Sequence, residues 1–181
     1  MIAVLAKKDF IASYKLSLKT NGINLPLSVL NEHCDEFVAL ITSYIKSGYV
    51  IRFQGCGAIV VREKSPRKGF NFKTGASLEV AGRRSCSMVR TVRTSLVGII
   101  QDHKVTTQKM RDDLGDILKN AEAADIFINT FIRTLKSVLN GNTDKFTLQA
   151  LGSFSLRKTR TESSLIFSAS HTIKSYLKSQ T

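Results

Sequence analysis

A chain of 181 residues, 43% of them apolar, is long enough for one substantial domain or two small ones with packed cores. Its 27 Lys and Arg against 14 Asp and Glu leave a net charge of +13, an excess that suits a polyanion or an anionic membrane surface. No apolar run approaches a membrane span, Met1 to Ala6 is too short for a signal-peptide core, and Cys34, Cys56 and Cys86 form no CxxC pair, so a soluble protein of a reducing compartment, without disulfides or zinc, is expected.

In chain order, Phe10, Ile11, Tyr14 and Leu18 recur at helical spacing, and Asn21-Gly22 ends that helix with a residue able to take positive φ. Pro26 opens a second helix whose apolar stripe is Leu27, Leu30, Cys34, Phe37, Ile41, Tyr44 and Ile45, stopped at Gly48. Tyr49 to Phe53 and Ala58 to Val61 have strand composition around a Gln54-Gly55-Cys56-Gly57 turn. Beyond a basic insert, Leu78-Glu79-Val80 reads as a returning strand, and Val89, Val92, Leu96 and Ile99 as a closing helix. Gln101 to Val105, free of Pro and Gly, reads as a short ordered connector.

The order then repeats. Thr106 or Thr107 caps a helix with Met110, Leu114, Ile117 and Leu118 on one face, Ile126 to Leu139 forms the next, and Asn140-Gly141-Asn142 breaks it. Phe146 to Gln149 and Ser153 to Leu156 make a hairpin around Ala150-Leu151-Gly152, Leu165-Ile166-Phe167 returns, and Ile173, Tyr176 and Leu177 close with a short helix. Residues Gly55 to Arg62 map onto Ala150 to Arg157 at an offset of 95, and Phe37, Ile41, Tyr44 and Ile45 onto Phe131, Leu135, Val138 and Leu139 at 94.

The copies diverge after that Arg. The first runs on through Glu63 to Gly75, whereas the second turns back through Thr159 to Ser164. Arg62 to Arg93 holds nine basic residues against Glu63 and Glu79. A charge run alone is usually a solvated face, but here Phe70 and Phe72 stand beside Gly69 and Asn71 in an expected exposed turn, where a ring has no core to enter. Basic side chains that neutralise phosphates release counterions, and an apolar wedge can unstack and kink a duplex from its minor groove. Phe72 is either that wedge, or it is packed against the body or held in a protein contact; Phe70 either assists it or packs under the tip. His33, His103 and His171 are scattered, Asp112, Asp113 and Asp116 sit where acids complement a helix N-terminus, and no nucleophile, base and orienter constellation emerges.

The segments Phe53-Gln54-Gly55-Cys56-Gly57-Ala58-Ile59 and Arg67-Lys68-Gly69-Phe70-Asn71-Phe72-Lys73-Thr74-Gly75 resemble the HU/IHF family of bacterial histone-like DNA-bending proteins. That family carries Gly-aromatic-Gly in the turn and a proline at the arm tip; here Cys56 and Phe72 stand in those places, and the second copy has no arm. The resemblance implies an α+β fold of two helix-helix-β-hairpin-helix repeats, residues 1–100 with a β-arm at about 62–84 and residues 101–181 without it. Family members are intertwined dimers, so it implies a single-chain pseudodimer. It further implies a non-enzymatic partner of double-stranded DNA, nucleoid-associated in the cytoplasm, without cofactor, small-molecule substrate or membrane. The DNA-binding residues would be Arg62, Lys64, Arg67, Lys68, Phe70, Asn71, Phe72, Lys73, Arg83 and Arg84 of the first half and Arg157, Lys158 and Arg160 of the second.

A second reading makes the chain a component of a nucleoprotein or virion assembly, or a regulator of a host HU-like protein. In either case the armless half is left for other DNA-bound copies or a protein partner. A fused, divergent pair also suits a viral or mobile genome.

Overall fold

The computed structural model describes residues 4–90, 104–158 and 162–180. In chain order the elements are β1 (Val4–Leu5), α1 (Lys7–Thr20), α2 (Leu27–Lys46), β2 (Val50–Phe53), β3 (Gly57–Lys64), β4 (Arg67–Asn71), β5 (Ala76–Val80) and β6 (Arg83–Val89). There follow β7 (Lys104–Val105), α3 (Thr107–Leu118), α4 (Ala121–Leu139), β8 (Lys145–Leu148), β9 (Gly152–Lys158), β10 (Ser163–Ala169) and α5 (His171–Ser179).

The helices start and stop where local chemistry dictates. The Lys109 N–H donates to Thr106 Oγ1 (3.2 Å) and the Ala123 N–H to Asn120 Oδ1 (3.0 Å), each satisfying a first-turn donor that the helix itself cannot. Pro26, without an N–H to lose, precedes the first residue of α2. The expected stripes are buried or half-buried except at two positions. Leu27 lies in the first turn of α2 and is exposed. Ile117 is also exposed, because Gly115 lets Ala121 and Ala124 of α4 close against α3 and turns the Thr107, Met110, Leu114, Gly115 side inward.

Two four-stranded sheets, ordered β1-β8-β9-β10 and β6-β3-β2-β7, exchange their outermost strands between the halves of the chain. Val4 and Leu5 run parallel to Lys145 and Phe146, while Lys104 and Val105 run parallel to Val50 and Ile51. Two residues are too few for a periodicity, so neither strand was legible in the sequence. The C-terminal helix crosses over as well: α5 packs on α2 and β6 of the first half, with Lys46 Nζ 5.0 Å from the Tyr176 ring centroid.

One apolar core therefore serves both halves. Phe10 meets Phe127 edge-on at 5.0 Å and Phe37 meets Phe131 at 4.8 Å, so rings from α1 and α2 interlock with rings from α4. Each fully buried Phe contributes about 1.5–3 kcal/mol by area, and edge-on pairs add to that. Tyr14, also fully buried, donates its hydroxyl to the Ala123 carbonyl (3.1 Å) and lies 2.9 Å from His33 Nδ1. Burial pushes the Tyr14 phenol up and the His33 imidazole down. On the other face of the β6-β3-β2-β7 sheet Val50, Ala58 and Val60 form a smaller cluster with Val89.

The repeated glycine at the start of β3 and β9 has a steric cause. Gly57 (φ +124°) and Gly152 (φ +139°) lie where the returning strand passes so closely that a Cβ would sit 2.5 Å from the Val89 carbonyl oxygen and 2.3 Å from that of Ser168. No side chain fits at either place, which is why the two copies agree there.

Beyond the arm the expected elements change. Val89 is not in a closing helix but in β6, paired with Ala58, because its side chain is needed in the small cluster on that sheet. Val92, Leu96 and Ile99, expected in the same helix, lie outside the described residues, as does most of the Gln101–Val105 connector, whose end is β7.

Candidate nucleic-acid interface

The arm grows out of the β6-β3-β2-β7 sheet. β3 and β6 pair from Ala58 with Val89 to Lys64 with Arg83; Ser65 and Pro66 then interrupt the ladder, since Pro offers no N–H. Pairing resumes between β4 and β5, from Arg67 with Val80 to Asn71 with Ala76, as a separate two-stranded ribbon. In a ribbon, opposed residues share a face. One face carries Lys68 opposite Glu79 and Phe70 opposite Ser77; the other carries Arg67, Gly69, Asn71, Ala76, Leu78 and Val80.

Asn71 builds the tip. Its side-chain oxygen accepts the Lys73 N–H (3.0 Å), and its carbonyl accepts the Thr74 and Gly75 N–H groups (3.2 and 2.8 Å), with Gly75 at φ +67°. This closed turn leaves Phe72 pointing into solvent, 93% exposed. Phe70 is 56% exposed and its ring meets that of Phe72 edge-on at 5.5 Å. Leu78 and Val80, also exposed, give the opposite face of the ribbon an apolar stripe that charge and glycine signals had not marked.

The seven expected arm cations, Arg62, Lys64, Arg67, Lys68, Lys73, Arg83 and Arg84, all lie on this ribbon or its root. Lys64, Arg67, Lys68, Lys73 and Arg83 are exposed, while Arg62 and Arg84 are half-buried with Nε atoms that have no hydrogen-bond partner. Arg84 approaches Glu63 at 3.7 Å, an ion pair open to water and worth little. The root thus keeps most of its positive charge available to a partner.

In the second half, Arg157 and Lys158 are exposed at the end of β9, opposite Ser164 and Ser163, and Arg160 lies outside the described residues. Glu162 follows and pairs with Arg90 at 3.0 Å, tying the two halves beside an open cleft of about 990 Å³ that Arg52, Gln54 and Asn140 also line. The outward side of this sheet carries Ser153, Ser155, Ser164 and Ser168 around an exposed Ile166.

Among the described residues no group of three or more His, Cys, Asp or Glu could hold a metal ion, and no helix is long and apolar enough to cross a membrane. Asp113 accepts from the Tyr44 hydroxyl and from Lys109, a link between α2 and α3. Burial pushes the Cys34 and Cys86 thiols up to about 11, so neither is an activated nucleophile.

The bacterial DNA-binding protein family matches residues 5–91, from β1 through the arm to the end of β6. DNA-binding protein HU-beta of Serratia marcescens is 30% identical over 63 residues, which span 35% of this chain and 70% of that relative.

Proposed function

Because this chain belongs to the bacterial DNA-binding protein (HU/IHF) family, we propose that it is a non-enzymatic architectural protein that binds duplex DNA through the minor groove and bends or compacts it with one basic arm. The observation that carries this reading is Phe72, an apolar ring held 93% exposed at the ribbon tip by the Asn71 turn. A ring kept in water by a built turn gains an apolar environment by entering a base step, and it unstacks that step in doing so. Unstacking costs a few kcal/mol, which phosphate contacts by Arg62, Lys64, Arg67, Lys68, Lys73, Arg83 and Arg84 offset. Leu78 and Val80 would face the sugar edges of the groove. Phosphate contacts position the duplex without reading it, so little base specificity follows.

The chain is read as a covalent pseudodimer of residues 1–100 and 101–181, a reading supported by the reciprocal exchange of β1 and β7 and by the crossing of α5. One arm gives one strong kink. Arg157, Lys158 and Arg160 hold phosphates on the opposite flank, and the protein acts on the nucleoid. The test is energy transfer between dyes at the two ends of a short duplex at low salt: binding should shorten the end-to-end distance. Absence of binding, or binding with the distance unchanged, refutes the proposal.

A further inference from the structure

The ribbon carries more apolar surface than a wedge uses. Of the nine large apolar side chains exposed among the described residues, four, Phe70, Phe72, Leu78 and Val80, lie on β4, β5 and the turn between them. Intercalation of Phe72 at one base step leaves the other three without an apolar medium. Leu78 and Val80 form a stripe on one face of the ribbon, and Gly69 keeps that face open: it has no side chain, and a Cβ there would come 3.2 Å from Val80 Cγ2. Phe70 stands on the other face and meets Phe72 edge-on at 5.5 Å, so the apolar surface wraps around the end of the ribbon. Cations surround it. Lys64, Arg67, Lys68, Lys73 and Arg83 are exposed, and Glu79 is the one acid from Arg67 to Val80.

We propose that the arm tip is also a lipid-binding element, which enters the surface of an anionic bilayer with Phe72, Phe70 and Leu78 and is held there by its lysines and arginines. An apolar tip and a polybasic rim are the two signals that peripheral attachment needs: burial of the rings and of Leu78 supplies one, attraction to anionic headgroups the other. The dimensions agree. At about 3.3 Å per residue the strand from Ala76 to Val80 spans about 13 Å. A tip sunk roughly 5–10 Å into the boundary between headgroups and acyl chains therefore buries Phe72, Phe70 and Leu78 and leaves Val80, Arg67 and Lys68 among the headgroups. Lys73, in the turn beside Phe72, has a stem long enough to return its ammonium to them. The turn is also prepared for a medium poor in water, because Asn71 already accepts the N–H groups of Lys73, Thr74 and Gly75. This second role does not depend on the DNA-binding reading. Both partners use the same arm, so they compete for it.

The chain contains no Trp, so Phe72→Trp places a single fluorescent reporter at the tip. The full-length variant is titrated with vesicles of phosphatidylcholine alone and with vesicles that also contain phosphatidylglycerol, and uptake is read by sedimentation. Anionic vesicles should bind it, shift its emission to the blue and shield it from an aqueous quencher, whereas neutral vesicles should bind at least about tenfold more weakly. Leu78→Ser/Val80→Ser in the otherwise unaltered chain should weaken uptake by anionic vesicles about tenfold. Uptake with unshifted, quencher-accessible emission, or undiminished uptake of the serine pair, assigns the contact to charge alone and overturns insertion. Equal uptake by both kinds of vesicle overturns the role of the cations and with it the proposal. No uptake by a chain that binds duplex DNA leaves the arm to DNA and overturns the lipid site. Uptake by a chain that fails to bind duplex upholds the lipid site and refutes the DNA-binding reading.

Discussion

Replacing Phe72 with Ala separates bending from binding, and the size of the effect follows from exposure. The ring is 93% exposed at the arm tip and meets the Phe70 ring, away from the core, so its removal should leave the core intact and the melting temperature unchanged. Burying a Phe side chain is worth about 1.5–3 kcal/mol, or roughly 30-fold in affinity at 2 kcal/mol. On an intact duplex the cost of unstacking a step, a few kcal/mol, cancels most of that gain. Affinity for linear DNA should therefore change by less than about threefold, whereas bending should be lost. A nick meets the unstacking cost in advance, so the unaltered protein should prefer nicked DNA by about 10- to 30-fold, and Phe72→Ala should lose this preference. The assay is a pair of titrations, linear and nicked, with end-labelled duplexes reporting distance. A variant that keeps both the preference and the bend would refute the wedge.

Other outcomes follow from the same structure. Lys73→Ala should lower the salt slope by about 0.9 and leave the bend angle unchanged, read by titration and energy transfer on one duplex. Gly152→Ala would bring a Cβ to 2.3 Å from the Ser168 carbonyl oxygen and should destabilise the fold by about 3 kcal/mol or more in urea denaturation. Tyr14→Phe removes a hydroxyl that serves both Ala123 and His33 and should cost about 1–3 kcal/mol. His33 has its folded pKa lowered by burial, so below about 6.5 the unfolded chain binds more protons; stability should be full above that pH and fall as the pH drops toward the folded value. His33→Gln should flatten this dependence in denaturation curves taken at several pH values.

The sequence determined most of what is local. Helical stripes such as Phe10-Tyr14-Leu18 and Phe127-Phe131-Leu135 and caps at Thr106 and Asn120 are governed by periodicity and near-neighbour hydrogen bonding, which a chain carries in its own order. The arm was legible for the same reason: Asn71, Gly75 and the basic run around them act within a few residues of one another. What the sequence left open depended on partners distant in the chain. Val89 joined a strand because Val50, Ala58 and Val60 offered it a cluster, and Ile117 faced water because Gly115 let α4 approach the other side of α3. The two-residue strands β1 and β7 have no pattern of their own and exist only as pairs with β8 and β2. Nothing local in the sequence places Lys174 and Lys178 near the arm. Only the crossing of α5, driven by burial of Ile173 and Leu177 in a core shared by both halves, set them beside Arg83 and Arg84.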